Sequence, residues 1–321
     1  LKDPSKGYAP DFVTRILKEA GREAWEKKIK ICTNAGGMNI QGCVDAIKGF
    51  ATEQNMKGYK IGYVTGDDIK DKIPQLLKDG WTFPNFDYDG DFTQILDKIY
   101  NCNAYIGHEG VEEAIAGGAD VVVTGRAADS ALFLAPFAHE FGWADDDWDN
   151  LARGIMAGHL LECGGQGAGG NYMYDWRNVP RMEDLGFPIA EITDDTFEIT
   201  KAPDCGGIIC EQSCKEQFLY EVLDPANYIT PDVNVDISKA TITQVGDNRV
   251  RIGNIHGKPR PDTLKLCVGY HKGWKTVSML SFAWPDAYEK ARYCADIIMK
   301  KMKKRGMKAD DVHISFIGVN S

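Results

Sequence analysis

The stretch Val121-Val122-Val123-Thr124-Gly125-Arg126-Ala127-Ala128-Asp129 decides how the rest of the chain is read. An apolar, strand-like run ends in a small Gly-containing turn, and a helix pattern follows at once. Three other stretches share this construction: Ile29-Lys30-Ile31-Cys32-Thr33-Asn34-Ala35-Gly36-Gly37, Ile61-Gly62-Tyr63-Val64-Thr65-Gly66-Asp67-Asp68, and Ala104-Tyr105-Ile106-Gly107-His108-Glu109-Gly110. Strands followed directly by helices imply a parallel sheet, because parallel neighbours need a crossover connection. In such a sheet the strand-to-helix loops emerge at the carboxyl edge, where ligands bind. All four loops are therefore expected along one rim.

Outward from these loops, an amphipathic helix is expected over 11–28 and further helices over 41–54, 74–77, 94–100, 111–116, from Arg126 through Phe137, and 151–162, with strands between. After Leu185 the texture changes to short β-rich runs: 187–192, 196–201, 207–211, 240–245, 250–254, 263–268 and 276–280. Gly246-Asp247-Asn248 reads as a hairpin turn. A helix over 215–222, a helix over 285–304 and a strand over 312–319 complete the pattern. The fold class is α/β: a mostly parallel sheet with flanking helices, Rossmann-like but lacking a dinucleotide fingerprint, in residues 1–184. A smaller β-rich α+β lobe is expected in 185–321.

The 321 residues fit one large or two ordinary domains, with 43% hydrophobic and 26% charged residues, as in globular proteins. The longest apolar run, near Ala131 to Ala138, is far short of the ~20 residues a membrane span needs. A formal charge of −10 argues against nucleic acid. The basic run 300–305 ends a helix pattern, where cations favour the dipole. Nine cysteines lack a zinc-ribbon spacing, and Cys205, Cys210 and Cys214 match no common cluster run. Reduced thiols, no metal and a cytoplasmic or organelle-matrix location are expected. The chain opens on Leu1 and closes on an apolar run, so both ends are read as cut.

Within the Arg126 loop, the first N–H groups of the following helix and the Arg126 guanidinium suit a carboxylate or phosphate, with Thr124 and Gly125 forming the turn. Asp129 either caps that helix or holds Arg126. A purely structural role for this loop stays open. His108 and Glu109 offer an imidazole and a carboxylate at a strand end, suited to proton transfer. Glu109 is equally explained as a helix-start acid. His159 and Glu162 share a helix face and run into the Gly-rich stretch 163–171, where Gln166 lies. That pairing is either an acid–base site or an ordinary helix end. Cys163 is disfavoured as a nucleophile because a helix carboxyl end suppresses thiolate. Asn34, Gly36 and Gly37 suit the orientation of a carbonyl or carboxylate, or form a plain turn. Lys258-Pro259-Arg260-Pro261-Asp262 is a stiff basic loop, either a hairpin connection or a contact for a phosphate-bearing acyl carrier. The Asp67 loop offers only acidic turn residues.

Several phrases together resemble the acyclic terpene utilization family, AtuA. They are Gly7-Tyr8-Ala9-Pro10-Asp11-Phe12, Thr33 to Asn39, Gly118 to Leu132, Ala157 to Gln166, Leu185 to Ala190, Tyr228 to Val233, Arg260 to Lys265, and the closing Gly318-Val319-Asn320-Ser321. The resemblance implies catabolism of acyclic terpenoids through branched acyl-CoA thioesters; it supplies no catalytic residues. It also implies a Gly-rich strand and loop before Leu1 and, in many members, a small ferredoxin-like domain beyond Ser321.

The expected function is thus an enzyme of hydratase, dehydratase or lyase type acting on an acyl-CoA or carboxylate. No cofactor is evident, and a CoA thioester enters as substrate. Arg126 would bind the anion, and His108 with Glu109, or His159 with Glu162, would move the proton. The alternative is a non-catalytic acyl-CoA-binding or scaffold subunit of a catabolic complex. A nicotinamide enzyme is disfavoured because no glycine fingerprint follows the first strand. Partners are a small acyl substrate and either further copies of the chain or other subunits; neither nucleic acid nor membrane is expected.

Overall fold

A computed structural model of the protein describes residues 6–86, 89–193 and 195–319. Its contacts divide into two compact units, one extending to His271 and one beginning at Lys272. The change of texture near Leu185 lies within the first unit.

The strands of the first half are β1 (Ile31–Thr33), β2 (Ile61–Val64), β3 (Ile99–Ala104) and β4 (Val121–Thr124). β4 lies centrally between β1 and β2, and both pairings are parallel. Its valines face two ways. Val121 and Val123 pack with Leu17, Ile47 and Phe50, from the π-helical turn Phe12–Gly21 that leads into α1 (Arg22–Glu26) and from α2 (Ile40–Glu53). Beyond α3 (Ile73–Lys78) come α4 (Glu109–Ala116) and α5 (Ala131–Phe141), and Val122 packs against Val111, Ile115 and Ala135 on those two helices. Burial on both faces is why this strand is uniformly apolar. Asn39 opens α2 by accepting the Gly42 N–H at 3.0 Å, a side-chain cap.

The third strand departs from the expected arrangement. β3 lies outside the parallel sheet and pairs antiparallel with the strand Leu266–Tyr270. The sequence Ile99-Tyr100-Asn101-Cys102-Asn103-Ala104 explains this: it is interrupted by exposed Tyr100 and by two asparagines, unlike the continuous run of a doubly covered strand. A single parallel bridge, Ile106 to Ala127, still seats the His108 loop beside the end of β4.

The remainder of the first unit contains α6 (Trp148–Leu161), β5 (Pro188–Ile192), β6 (Phe197–Lys201), α7 (Glu211–Leu219), β7 (Tyr228–Ile229), β8 (Asn234–Asp236), β9 (Thr241–Gly246), β10 (Arg249–Gly253), β11 (His256–Lys258) and β12 (Leu266–Tyr270). An antiparallel sheet runs in the order β5-β6-β10-β9, and a smaller one runs β11-β8-β7. Leu151, Ile155 and Met156 of α6 share a core with Phe197, Ile199, Val235, Val250 and Ile252. The hairpin turn forms where expected, with Asn248 at φ +49°.

Other expectations need correction. Residues 207–211 are not a strand but lead into α7, which starts at Glu211. Reciprocal bonds between Cys210 and Ser213 cap that helix earlier than apolar periodicity suggested. β7, β8 and β11 are two or three residues long, too short to show a period. Residues 276–280 and 312–319 are strand-like in composition yet carry no ladder among the described residues. β-propensity marks a surface suited to a neighbouring strand and does not supply one.

In the second unit, α8 (Ala287–Lys304) ends in Lys301, Lys303 and Lys304, as the dipole favours. No described residue of this unit is buried. No helix among the described residues is long and apolar enough to cross a membrane. Asn320 and Ser321 of the closing phrase lie outside the described residues.

Candidate functional site

The loops after β1 and β4 meet at Asp129. Its Oδ1 lies 3.5 Å from Asn34 Nδ2 and 3.9 Å from Arg126 Nη1. The glycines beneath are needed for backbone approach. A Cβ on Gly36 would lie 2.5 Å from the Thr124 carbonyl oxygen, and Gly37 is left-handed at φ +51°. Thr124 is buried, with its hydroxyl donating to the Gly125 carbonyl at 3.1 Å.

The Asp67 loop is the hub of this rim. Asp67 is buried, and its Oδ2 accepts the Arg126 N–H at 2.8 Å and the Asn103 side-chain amide at 3.0 Å. Its carbonyl accepts the Ala104 N–H at 2.7 Å. Gly125 is small because a Cβ there would fall 2.5 Å from Asp67 Oδ2. One carboxylate thereby ties the end of β3 to the turn after β4. Above it, the Arg126 guanidinium lies 5.0 Å from the centre of the Tyr105 ring, and Lys265 Nζ lies 5.1 Å from the same point.

His108 is buried and held by acids. Its Nδ1 donates to Asp232 Oδ1 at 2.7 Å, its backbone N–H donates to the same oxygen at 2.8 Å, and Nε2 lies 3.4 Å from Glu112 Oε2. Burial pulls the imidazole pKa down. The Asp232 bond and charge, with the charges of Glu112 and Glu109, outweigh burial and leave it above the usual value. Asp232 Oδ2 is buried with no hydrogen-bond partner among the described residues. Glu109 is half-exposed and pairs with Arg260.

A third group lies at the end of α6. His159 is buried and its Nε2 donates to the Gln217 carbonyl at 3.1 Å; burial holds its pKa below the usual value despite that bond. Gln217 also accepts the Gln166 side-chain amide at 3.1 Å. Glu162 is raised above the usual carboxyl range, first by burial and then by the charges of Asp129 and Glu221, against a bond from the Cys163 thiol at 3.2 Å. Burial and Glu162 push Cys163 up to about 11, so the thiol is inert near neutrality. Tyr228 packs on the His159 ring at 5.5 Å and is pushed to about 12 by burial and by these acids. Glu221 sits at φ +60°, a strained conformation for a non-glycine residue.

A model of the acyclic terpene utilisation family protein AtuA matches residues 1–321, the whole chain. The chain belongs to the AtuA family. Membership associates it with acyclic terpene utilisation. Comparison with curated proteins and with solved structures returns no match.

In this AtuA family chain, Asn34, Arg126 and Asp129 come together directly, and Asp129 acts through space on Glu162. His159 and Gln166 converge on Gln217 just beneath. His108 is directed instead to Asp232 and Glu112, and Glu109 to Arg260. Sequence reading missed Asp67, Asn103, Gln217, Glu221, Asp232 and Lys265 as members of this region. For Asp67 a signal existed: an acid following Gly66 at a strand end, level with the Gly125 turn. Asp232 lies in the family-like phrase Tyr228 to Val233, but nothing local showed its role, since its partner lies 124 positions away.

Proposed function

We propose that the protein is an enzyme that adds water to, or removes it from, a branched acyl thioester or carboxylic acid of acyclic terpene catabolism. The observation that carries this reading is Glu162: a half-buried carboxyl raised first by burial and also by the charges of Glu221 and of Asp129, the residue that Asn34 and Arg126 approach. A carboxyl raised in this way holds its proton more firmly than a free one, which suits a general acid.

In the dehydrating direction, a second acid of the group acts as the base and takes the proton from the carbon next to the acyl carbonyl. Glu162 as general acid gives a proton to the departing hydroxyl, so one water leaves and a conjugated double bond forms. Hydration is the reverse. Asn34 orients the carbonyl, and Arg126 holds an anionic group of the substrate. The amide of Gln217, held by His159 and Gln166, positions the end of α6. His108 and Asp232 hold the neighbouring loop.

The test is turnover of branched enoyl- and 3-hydroxyacyl-CoA thioesters and the free acids by wild type, Glu162→Gln and His108→Ala. Loss of general acid catalysis is expected to cost Glu162→Gln about 10²–10⁴-fold in kcat. Full activity in Glu162→Gln removes that residue from the mechanism, and no turnover by the wild type removes the reading.

A further inference from the structure

Tyr105 carries two cations on one ring. Arg126 and Lys265 each lie about 5 Å from its centre, so their charges are separated by no more than the sum of those two distances. Among the described residues no carboxylate lies within ion-pair distance of Lys265, and the carboxylate near Arg126 is Asp129 at 3.9 Å, shared with Asn34. Two incompletely neutralised cations thus share one aromatic ring in a protein whose net charge is −10. Like charges brought together repel unless an anion joins them.

The backbone positions that carry the three side chains are held by hydrogen bonds. The Tyr105 N–H donates to the Lys265 carbonyl at 2.9 Å, extending the ladder between β3 and β12. The Arg126 N–H is held by buried Asp67, which also binds Asn103 two residues before Tyr105. Arg126 is partly exposed and Lys265 is exposed, so both remain open to a ligand.

The geometry points to a phosphate-binding site formed by Arg126, Lys265 and the Tyr105 ring, for a substrate that carries a phosphate or diphosphate group. A carboxylate is satisfied by one guanidinium fork and leaves Lys265 without a role. A phosphate brings more charge and more acceptor oxygens, enough for a planar fork and a mobile ammonium together. Two sources fit this chemistry: the phosphates of an acyl carrier such as coenzyme A, and a diphosphate ester of a small branched alcohol. The inference rests on the reading of Arg126 above as the anchor for an anionic group of the substrate, and it adds Lys265, Tyr105 and the chemical class.

Calorimetric titration of the full chain with inorganic pyrophosphate, coenzyme A, a prenyl diphosphate and a branched enoic acid tests it. Pyrophosphate is expected to bind, and Lys265→Gln to weaken it by about tenfold or more, as for one charge-assisted contact. Lys265→Arg is expected to restore most of the loss, and Tyr105→Leu to weaken binding without altering the far-UV circular dichroism. Tighter binding of coenzyme A than of the prenyl diphosphate identifies the carrier as the source, and the opposite order identifies the small ester. Equal phosphate affinity in wild type and Lys265→Gln, or no phosphate binding at all, overturns the site. Thioester turnover measured alongside separates the two proposals. Phosphate binding without turnover refutes the enzyme and leaves the site. Turnover with KM unchanged in Lys265→Gln, and no phosphate binding, refutes the site and leaves the enzyme.

Discussion

Asp232 Oδ1 accepts two hydrogen bonds from the single residue His108, one from the backbone N–H at 2.8 Å and one from Nδ1 at 2.7 Å. The two residues lie on different parts of the fold, Asp232 in the turn between β7 and β8 and His108 at the start of α4, and both are about 2% exposed. One buried carboxylate therefore fixes both the position and the protonation of the loop that follows β3.

Replacing Asp232 by Asn keeps the shape of that contact and removes its charge. Breaking a buried, hydrogen-bonded pair leaves an uncompensated group, so the loss of stability is expected to be about 3 kcal/mol. Urea denaturation at pH 7 measures it. A change indistinguishable from that of an exposed control such as Asp45→Asn would mean that the contact contributes little.

The two buried histidines predict opposite pH dependences. His108 has a folded pKa above its unfolded value of about 6.5. Its contribution is complete below that value and is lost as pH rises through the folded pKa. His159 has a folded pKa below the unfolded value, so its contribution is present above about 6.5 and is lost as pH falls through the folded pKa. Denaturation midpoints from pH 5 to 9 should show the alkaline decline shrinking in His108→Gln and the acid decline shrinking in His159→Gln. Unaltered profiles in both variants would contradict these assignments.

Asp67 and Gly125 form a single packing unit, which predicts non-additivity. A methyl at 125 meets Asp67 Oδ2, so Gly125→Ala alone is expected to cost about 1–3 kcal/mol through overpacking. In an Asp67→Ala background the clash is gone, and the same substitution should cost much less. A double-mutant cycle in urea reads the coupling. Additive effects would show that the Cβ is accommodated without moving Asp67.

The sequence makes some parts of this site legible and hides others for a physical reason. Arg126 and Asn34 were readable because they sit on turns that directly follow strands of one parallel sheet, where local pattern and position coincide. The Asp67 turn was visible but its role was not, because acids are ordinary in turns and its bonds to Asn103 and Arg126 join residues 36 and 59 positions away. His108 was readable as a titratable group, whereas its partner was not. Glu109 is adjacent in sequence but points to Arg260, and Asp232 arrives from a hairpin whose strands are two and three residues long.

By itself the sequence determined a parallel sheet with flanking helices, the Asn34 and Arg126 loops at the ends of its strands, and the resemblance that membership of the AtuA family bears out. Those follow from patterns within a dozen residues, where strand and helix periods and turn chemistry act. Only the tertiary structure decided that β3 leaves that sheet for β12, that Asp232 rather than Glu109 holds His108, and that Arg126 and Lys265 share Tyr105. Each of those brings together residues far apart in the chain, and for His108 and Asp232 burial also removes water as a competitor for the charge.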